Sequence, residues 1–270
     1  MNGRVVAQAV RERHSAVKIS NSPSAPCWAD LSTTEPEAAR YFYEALFGWR
    51  TRSSDDPTVG GHGTFSLDSP DGPKVAGVGP VLRPGQPAAW LPYFQSSGID
   101  AVTARVSGNG GRVVSGPIGV PDEGRLAVCQ DPAGAVFGLW EPQEHAGFQA
   151  VNVPSSFCWF ELLTRDGAGS VDFYQSVLGW GTERNGAYTN WTVADEAFGG
   201  MVDMSTGEFP PEVPSYWNLY VAVDDPDAVA ERCVELSGQV LVQPTAIEPG
   251  RFAMLADPQG AAFSVMRFAA

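Results

Sequence analysis

The chain has 270 residues, of which 43% are hydrophobic and 11% aromatic, a composition typical of a folded globular protein rather than a disordered one. Its formal net charge is −14, and an acidic surface repels phosphate, so nucleic acid and anionic membranes are poor partners. The sequence lacks an apolar run of 18 residues, so we expect no membrane span.

The cysteines give no sign of a metal or redox motif. None of the four belongs to a Cys-x-x-Cys pair, which argues against a structural zinc site or a thioredoxin-like centre. The first twenty residues carry scattered charges and lack the apolar core of a signal peptide. We therefore expect a cytoplasmic protein with free thiols. The cysteines are Cys27, Cys129, Cys158 and Cys233.

Two long stretches of the sequence repeat each other. CWADLSTTEPEAARYFYEALFGW (27–49) and CWFELLTRDGAGSVDFYQSVLGW (158–180) both begin with Cys-Trp, share Phe-Tyr at one offset and end with Gly-Trp. Further on, GRLAVCQDPAGAVFGLW (124–140) matches GRFAMLADPQGAAFSVM (250–266). Matches that keep their order along the chain indicate a duplicated domain.

The repeat sets the predicted domain boundaries. The two copies span 26–141 and 157–268. The segment between them, 142–156, is polar, contains prolines and has no apolar period, which is typical of a linker. Residues 1–25 precede the first copy and are predicted to be an N-terminal arm, either mobile or a short helix.

The first copy opens with a predicted strand. In CWADL, the side chains of Cys27, Ala29 and Leu31 alternate with those of Trp28 and Asp30. A period of two predicts a half-buried strand with Trp28 and Asp30 on the same face.

A helix is predicted after this strand. Thr33 or Thr34 is a candidate cap, Glu35 and Glu37 suit the first turn, and Gly48 suits the left-handed position that ends a helix. Short strands (TFSLDS, KVAGVGPVL, AWLPYF), a second helix (IDAVTARVSGNG) and three strands (RVVSG, RLAVCQ, AVFGLW) follow. Each copy therefore contains two β-α-β-β-β units.

The motifs FYEALFGW and DPAGAVFGLW resemble those of the vicinal oxygen chelate superfamily, which includes glyoxalase I, extradiol dioxygenases and bleomycin-resistance proteins. These motif sequences are similar to those of two-domain actinobacterial glyoxalase-like proteins. Some of those proteins are associated with the tailoring of aromatic polyketides of the anthracycline type or with resistance to them. The resemblance covers 26–268 and implies an α+β fold. That fold is a tandem duplication of a glyoxalase-like domain, each copy forming a curved mixed sheet around a cavity.

The chain departs from the resemblance at the positions that hold metals. In metal-using members, ligands project from the first, fifth and eighth strands of a copy. None of the six corresponding residues is His, Asp or Glu, the side chains that divalent metals require, so we expect neither a metal nor a cofactor. These residues are Trp28, Leu91 and Gly138 in copy one and Trp159, Asn218 and Ser264 in copy two.

The two tryptophans at the first-strand positions are candidate substrate-binding residues. The indoles of Trp28 and Trp159 offer large rigid faces for stacking on a planar ligand, together with an N–H donor. The alternative is that both indoles simply fill their cavities.

Asp30 and Glu161 follow the tryptophans by two residues and are the candidate catalytic groups. A carboxylate in an apolar pocket suits general acid or base catalysis. The alternative is an internal ion pair with Arg125 or Arg251, because buried carboxylates are costly unless paired. Further candidates for substrate binding are His62 of the turn VGGHG, Tyr93, Tyr220, Trp217, Asn218, Arg125 and Arg251.

These features favour a metal-independent tailoring enzyme for a planar hydrophobic secondary metabolite. Acid/base catalysis would assist cyclisation, isomerisation, elimination or hydroxylation. The alternative is a binding protein that sequesters a drug or metabolite, as bleomycin-resistance proteins do, and a metal-dependent glyoxalase or dioxygenase is disfavoured. The expected partner is a small hydrophobic or aromatic molecule, and the expected state is a monomer or homodimer.

Overall fold

The computed structural model describes residues 22–53, 61–81, 83–186, 188–206 and 209–269. Most of the predicted N-terminal arm lies outside these ranges. Among the helices of the described residues, none has the length and apolar character needed to cross a bilayer.

Both copies contain the predicted pair of β-α-β-β-β units. Copy one comprises β1 (Pro26–Thr33), α1 (Pro36–Phe47), β2 (Arg50–Ser53), β3 (Gly63–Ser66), β4 (Lys74–Pro80), β5 (Ala89–Gln95), α2 (Ile99–Gly108), β6 (Arg112–Val120), β7 (Gly124–Gln130) and β8 (Val136–Pro142). Copy two comprises β9 (Phe157–Thr164), α3 (Gly167–Leu178), β10 (Gly181–Asn185), β11 (Tyr188–Val193), β12 (Glu196–Asp203), a 3-10 turn (Met204–Thr206), β13 (Tyr216–Ala222), α4 (Pro226–Glu235), β14 (Gln239–Ile247), β15 (Gly250–Ala256) and β16 (Ala262–Phe268).

Each copy forms one eight-stranded mixed sheet. The strand orders are β2-β3-β4-β1-β5-β8-β7-β6 and β10-β11-β12-β9-β13-β16-β15-β14. The pairs β1–β4 and β5–β8 are parallel, whereas the hairpin pairs are antiparallel, and copy two repeats this arrangement. The predicted α+β tandem fold is confirmed.

The first helix of each copy ends as the sequence predicts but begins differently. Gly48 and Gly179 both adopt a left-handed φ of 73° just beyond their helices. The predicted cap at Thr33 or Thr34 is wrong, because α1 begins at Pro36 and Glu35 occupies the cap position without a side-chain cap bond. Proline suits the first helical position, since its fixed φ matches the helix and its missing N–H is not needed there.

Contacts between Cα atoms divide the chain into two compact units that do not coincide with the two copies. Unit I combines Pro92–Gly147 of copy one with Trp159–Asn218 of copy two. Unit II combines Trp28–Leu91 of copy one with the chain from Leu219 onward and the segment Phe148–Cys158. Each unit therefore contains the first half of one copy and the second half of the other.

A buried chain of hydrogen bonds lies at the centre of unit II. The indole of Trp90 donates to the Tyr43 hydroxyl at 2.9 Å, and that hydroxyl donates to Asp257 Oδ2 at 3.1 Å. Asp257 Oδ1 accepts the backbone N–H groups of Gln259 and Ala261 in its own turn. Burial, followed by the charge of Asp257, raises the pKa of Tyr43 well above its ordinary value, so the phenol stays a donor.

Unit I contains the equivalent chain. Trp217 donates to the Tyr174 hydroxyl at 3.1 Å, and Tyr174 donates to Asp131 Oδ2 at 3.1 Å. Asp131 Oδ1 accepts the backbone N–H of Ala135. The repeated Phe-Tyr and Asp-Pro-x-Gly motifs are thus two ends of one interaction, in which the helix of one copy bonds to a turn of the other.

The repeated Gly-Trp motifs make a second reciprocal link. Trp49, at the end of α1, donates to the carbonyl oxygen of Ser155, just before β9. Trp180, at the end of α3, donates to the carbonyl oxygen of Ser24, just before β1. Each indole therefore holds the chain entering the first strand of the other copy.

Replacing Tyr43 by Phe tests the hydrogen-bond chain of unit II. The change leaves Asp257 Oδ2 and the Trp90 indole without their shared partner in a buried site, which costs about 1–3 kcal/mol of the free energy of unfolding. Urea denaturation measures this loss. The control is Tyr41→Phe on the same helix, because Tyr41 is 69% exposed. Equal stabilities of the two variants would contradict the structural role.

The same variant carries a pH signature. Burial raises the pKa of Asp257 in the folded state above its ordinary value, while the hydrogen bond from Tyr43 lowers it. Folding therefore favours protonation, and this group's contribution to stability grows as the pH falls through its folded-state pKa. The bond from Tyr43 favours the ionised carboxylate, so we expect the deficit of Tyr43→Phe to be largest at neutral pH. Denaturation at neutral pH and at about pH 4 measures the difference.

Candidate functional site

Several of the predicted site residues, among them Trp28 and Asp30, lie on the face of their sheet opposite the helices, which we call the ligand face. In copy one, Trp28 Nε1 donates to Asp30 Oδ1 at 2.9 Å, so both side chains project on this face, as the alternation in β1 predicts. Asp30 is half-buried. The indole holds the carboxylate in one orientation.

A glycine on the neighbouring strand makes room for this pair. Gly77 of β4 is the register partner of Asp30, and a Cβ at Gly77 would lie 1.9 Å from Asp30 Oδ1 and 3.3 Å from Trp28 Nε1. Any side chain at Gly77 would therefore displace the carboxylate.

His62 lies on the same face, one step further along β4. A Cβ at Gly79 would lie 2.3 Å from two atoms of the His62 imidazole, so the ring lies directly over that glycine. Because Gly77 and Gly79 are two residues apart on one strand, the ring and the Asp30 carboxylate lie over positions separated by about 6.5 Å. His62 is exposed. Copy one thus places a carboxylate and an imidazole on one accessible surface.

Copy two builds a closed version of this arrangement. Trp159 Nε1 donates to the Tyr188 hydroxyl at 2.9 Å, and Tyr188 donates to Glu161 Oε1 at 2.8 Å. Tyr188 and Glu161 are 1% and 3% exposed. Burial, followed by the charge of Glu161, raises the pKa of Tyr188 well above its ordinary value. The Tyr188 hydroxyl therefore satisfies one oxygen of the Glu161 carboxylate from within the protein.

A row of residues across three strands surrounds this tyrosine. Asn190 pairs in register with Gly200, which in turn pairs with Glu161. A Cβ at Gly200 would lie 2.0 Å from the Tyr188 hydroxyl, so the phenol crosses the row above the glycine. Within the described residues, Asn190 Oδ1 is buried and makes no hydrogen bond.

The positions at which the superfamily resemblance implies metal ligands are filled differently. Trp28 and Trp159 are 7% and 4% exposed, so their indoles fill space. A Cβ at Gly138 would lie 2.2 Å from the Tyr93 ring, which therefore covers that position. Ser264 pairs in register with Tyr220.

This donor set does not fit a divalent metal, which requires carboxylate or imidazole ligands. In the part of the chain that the structure describes, no group of three or more His, Cys, Asp or Glu side chains could hold a metal ion.

The two predicted arginines lie elsewhere. Arg125 pairs with Asp100 and Glu141, and Arg251 pairs with Asp227, in partly exposed ion pairs. The suggestion that either arginine neutralises Asp30 or Glu161 is therefore wrong. Sequence spacing could not show this, because the acidic partners come from helix starts and from β8.

Trp217 also requires a correction. Its indole bonds to Tyr174 and therefore lies on the helix side of the sheet. Adjacent strand residues point to opposite faces, so the neighbouring Asn218, which is 2% exposed, lies on the ligand face instead. Tyr220 is 3% exposed, and its ring centroid lies 6.4 Å from that of Phe252. Tyr93 and Tyr220 are thus covered in this state.

Sequence reasoning missed two neighbours of the candidate site residues. The counterpart of Tyr188 in copy one follows from strand register. Thr64 pairs with Gly77 in copy one, and Asn190 pairs with Gly200 in copy two, so Thr64 and Asn190 are equivalent. That match makes His62 and Tyr188 equivalent. Phe148, from the predicted linker, packs against Trp28 with ring centroids 5.6 Å apart.

The profile of the Glyoxalase/Bleomycin resistance protein/Dioxygenase superfamily matches residues 27–139, and that of the Glyoxalase-like domain matches residues 159–266. The anthracycline biosynthesis protein DnrV of Streptomyces peucetius is 39% identical over 265 residues, covering 91% of this chain and 94% of the relative. CFP32 of Mycobacterium tuberculosis (strain CDC 1551 / Oshkosh), whose name provisionally assigns it to the glyoxylases, is 38% identical over 251 residues, covering 90% of this chain and 94% of the relative. The chain belongs to the Glyoxalase/Bleomycin resistance protein/Dioxygenase superfamily and is related to anthracycline biosynthesis proteins.

Solved structures agree on the fold. The crystal structure of the Mn(II)-bound glyoxalase from Novosphingobium aromaticivorans has a TM-score of 0.64 at 16% identity, covering 91% of this chain and 83% of that chain. At this level of identity, the likeness concerns the fold alone.

Substitution of the two equivalent glycines distinguishes the open arrangement from the closed one. Gly200→Ala forces the buried Tyr188 hydroxyl out of place, and such overpacking costs about 1–3 kcal/mol. Gly77→Ala displaces Asp30, which is half-buried and able to turn towards solvent, so we expect a smaller loss. Chemical denaturation measures both losses against Gly119→Ala, a strand glycine with open space around a Cβ. A larger loss for Gly77→Ala would contradict the assignment.

Proposed function

We propose that this protein modifies a planar hydrophobic small molecule by metal-independent acid/base catalysis on the ligand face of copy one. The observation that carries the proposal is that Asp30 and His62 lie on that face over two glycines of β4, Gly77 and Gly79, that are two residues apart. Carboxylate and imidazole are side chains commonly used to move protons in active sites.

Copy one is the better candidate because its polar groups remain accessible. Asp30 is half-buried and His62 is exposed, whereas Glu161 is buried and accepts a hydrogen bond from Tyr188. A group that is to exchange a proton with a ligand must be reachable within hydrogen-bond distance. Glu161 would first have to lose its bond to the tyrosine.

The geometry suits proton transfer between two positions of one ligand. Trp28 orients the Asp30 carboxylate, which would take a proton from an acidic C–H or O–H of the substrate. The imidazole of His62 would return a proton at a second position, about 6.5 Å away along β4. Such a transfer changes neither the composition nor the oxidation state of the substrate, which is characteristic of isomerisation and cyclisation.

The surroundings and the relatives support the substrate class. Trp28 and Phe148 provide an aromatic border beside Asp30, and aromatic side chains favour flat apolar ligands. DnrV is named an anthracycline biosynthesis protein, and the sequence resemblance links proteins of this kind to aromatic polyketides. We therefore propose an aromatic polyketide of the anthracycline type as the substrate.

The test is Asp30→Asn, assayed with anthracycline precursors by product analysis and by calorimetric binding. We expect turnover to fall by about 100-fold or more while the Kd changes little, because the amide keeps the shape of the carboxylate but is a far weaker proton acceptor. His62→Gln should reduce turnover in the same way. The matched control is Asp172→Asn on the exposed face of α3.

Glu161→Gln tests the choice between the two copies. Loss of turnover in this variant, with full turnover in Asp30→Asn, would place the chemistry in copy two and contradict the proposal. If the wild-type protein binds the ligand and returns it unaltered, the protein sequesters its ligand instead.

A further inference from the structure

The two copies differ in the charges beside the first residues of β7 and of its equivalent, β15. In copy one, Arg125 lies between two carboxylates. Its guanidinium donates to both oxygens of Asp100 at 2.9 and 3.0 Å and to Glu141 Oε2 at 3.1 Å. Glu141 is the register partner of Arg125 on β8, and its Oε1 also accepts the backbone N–H of Ile99. Copy one thus surrounds one cation with two anions.

Copy two replaces one of those anions with a cation. Arg251 and Asp227 are equivalent to Arg125 and Asp100 and form a two-point pair through Nε and Nη2. The register partner of Arg251 on β16 is Arg267, in the position of Glu141. Like charges directly opposite each other across a sheet destabilise it.

The N–H donors of these two arginines are only partly used in hydrogen bonds. Arg267 is exposed and makes neither a hydrogen bond nor an ion pair within the described residues. Arg251 Nη1 likewise has no hydrogen bond to the described part of the chain. The hydrogen bond from Arg251 is the main cause that lowers the pKa of Asp227, and the positive charge of Arg267 contributes to the same shift.

A shallow cavity of about 500 Å³ lies at these two arginines. It is formed by the β14–β15 hairpin, the end of β16 and the residue that follows β16. Glu248 also lines the cavity, and its equivalent in copy one, Asp122, is acidic too. The difference in charge between the copies therefore comes from Arg267 in place of Glu141.

We propose that this cavity binds an oxyanion, a carboxylate or phosphate group, against Arg267 and Nη1 of Arg251. The bound group takes the place that the Glu141 carboxylate occupies in copy one. Guanidinium groups suit this role because their planar array of donors matches carboxylate and phosphate geometry. The site serves a small anionic molecule on an otherwise acidic protein, and it is separate from the ligand face of copy one.

The experiment measures the thermal midpoint of the full chain as sodium chloride is replaced by sodium acetate or sodium phosphate at constant ionic strength. We expect the wild-type midpoint to rise by about 2–4 °C in at least one of these salts, because the bound anion stabilises the folded state. The acetate and phosphate arms distinguish a carboxylate site from a phosphate site. Constant ionic strength separates binding from general screening.

Arg267→Glu rebuilds the charge arrangement of copy one. We expect a higher midpoint in chloride than that of the wild type, and no response to acetate or phosphate. Arg184→Glu, an exposed arginine on β10, makes the same change of charge elsewhere and should keep the wild-type response. Equal anion responses of wild type and Arg267→Glu would overturn the proposal, as would a wild-type midpoint that neither salt raises.

The reciprocal change is Glu141→Arg, made in the Arg267→Glu background, where the original site is absent. We expect it to create a response to the same salt in copy one. Arg267→Ala provides a milder second test, because it removes one guanidinium without adding a carboxylate. A full response retained in Arg267→Ala would also count against the site.

Discussion

The structure depends on one reciprocal interaction, in which the helix of each copy donates a tyrosine hydroxyl to the aspartate turn of the other. Tyr43 bonds to Asp257 and Tyr174 bonds to Asp131, both in buried surroundings. A buried carboxylate is costly unless donors surround it, and here each one receives the tyrosine together with backbone N–H groups of its own turn. Neither copy completes this network from its own residues, which gives a physical reason for the pairing of two copies in one chain.

The network separates the two faces of each sheet. On the helix side, the copies keep the same residue types, because Trp90 and Trp217 play the same part beside equivalent tyrosines. On the ligand face, the copies have diverged. Asp30 bonds directly to its tryptophan, whereas Glu161 reaches its tryptophan only through Tyr188. The residue types on the helix side are constrained by the hydrogen bonds that hold the fold together, whereas those on the ligand face differ between the copies.

This separation explains what the sequence could predict. Alternation in β1 placed Trp28 and Asp30 correctly, and Gly48 ended its helix as its left-handed φ requires, because both signals are local. The partners of Arg125 and the position of Trp217 were missed. Both depend on which strands lie side by side and on which face a neighbour occupies, and a single sequence states neither. The equivalence of His62 and Tyr188 likewise became visible only through strand register.

Strand register also explains why one ligand face is closed and the other open. In copy one, His62 lies over Gly79, where the absence of a side chain leaves room for the imidazole. Copy two has Val202 in the place of Gly79, and Tyr188 instead reaches over Gly200 to the buried Glu161. Copy two thereby adds a buried tyrosine donor to its carboxylate and closes it off from solvent. Copy one keeps its imidazole one step away, so Asp30, which accepts a hydrogen bond from Trp28, remains half-buried and accessible to a ligand.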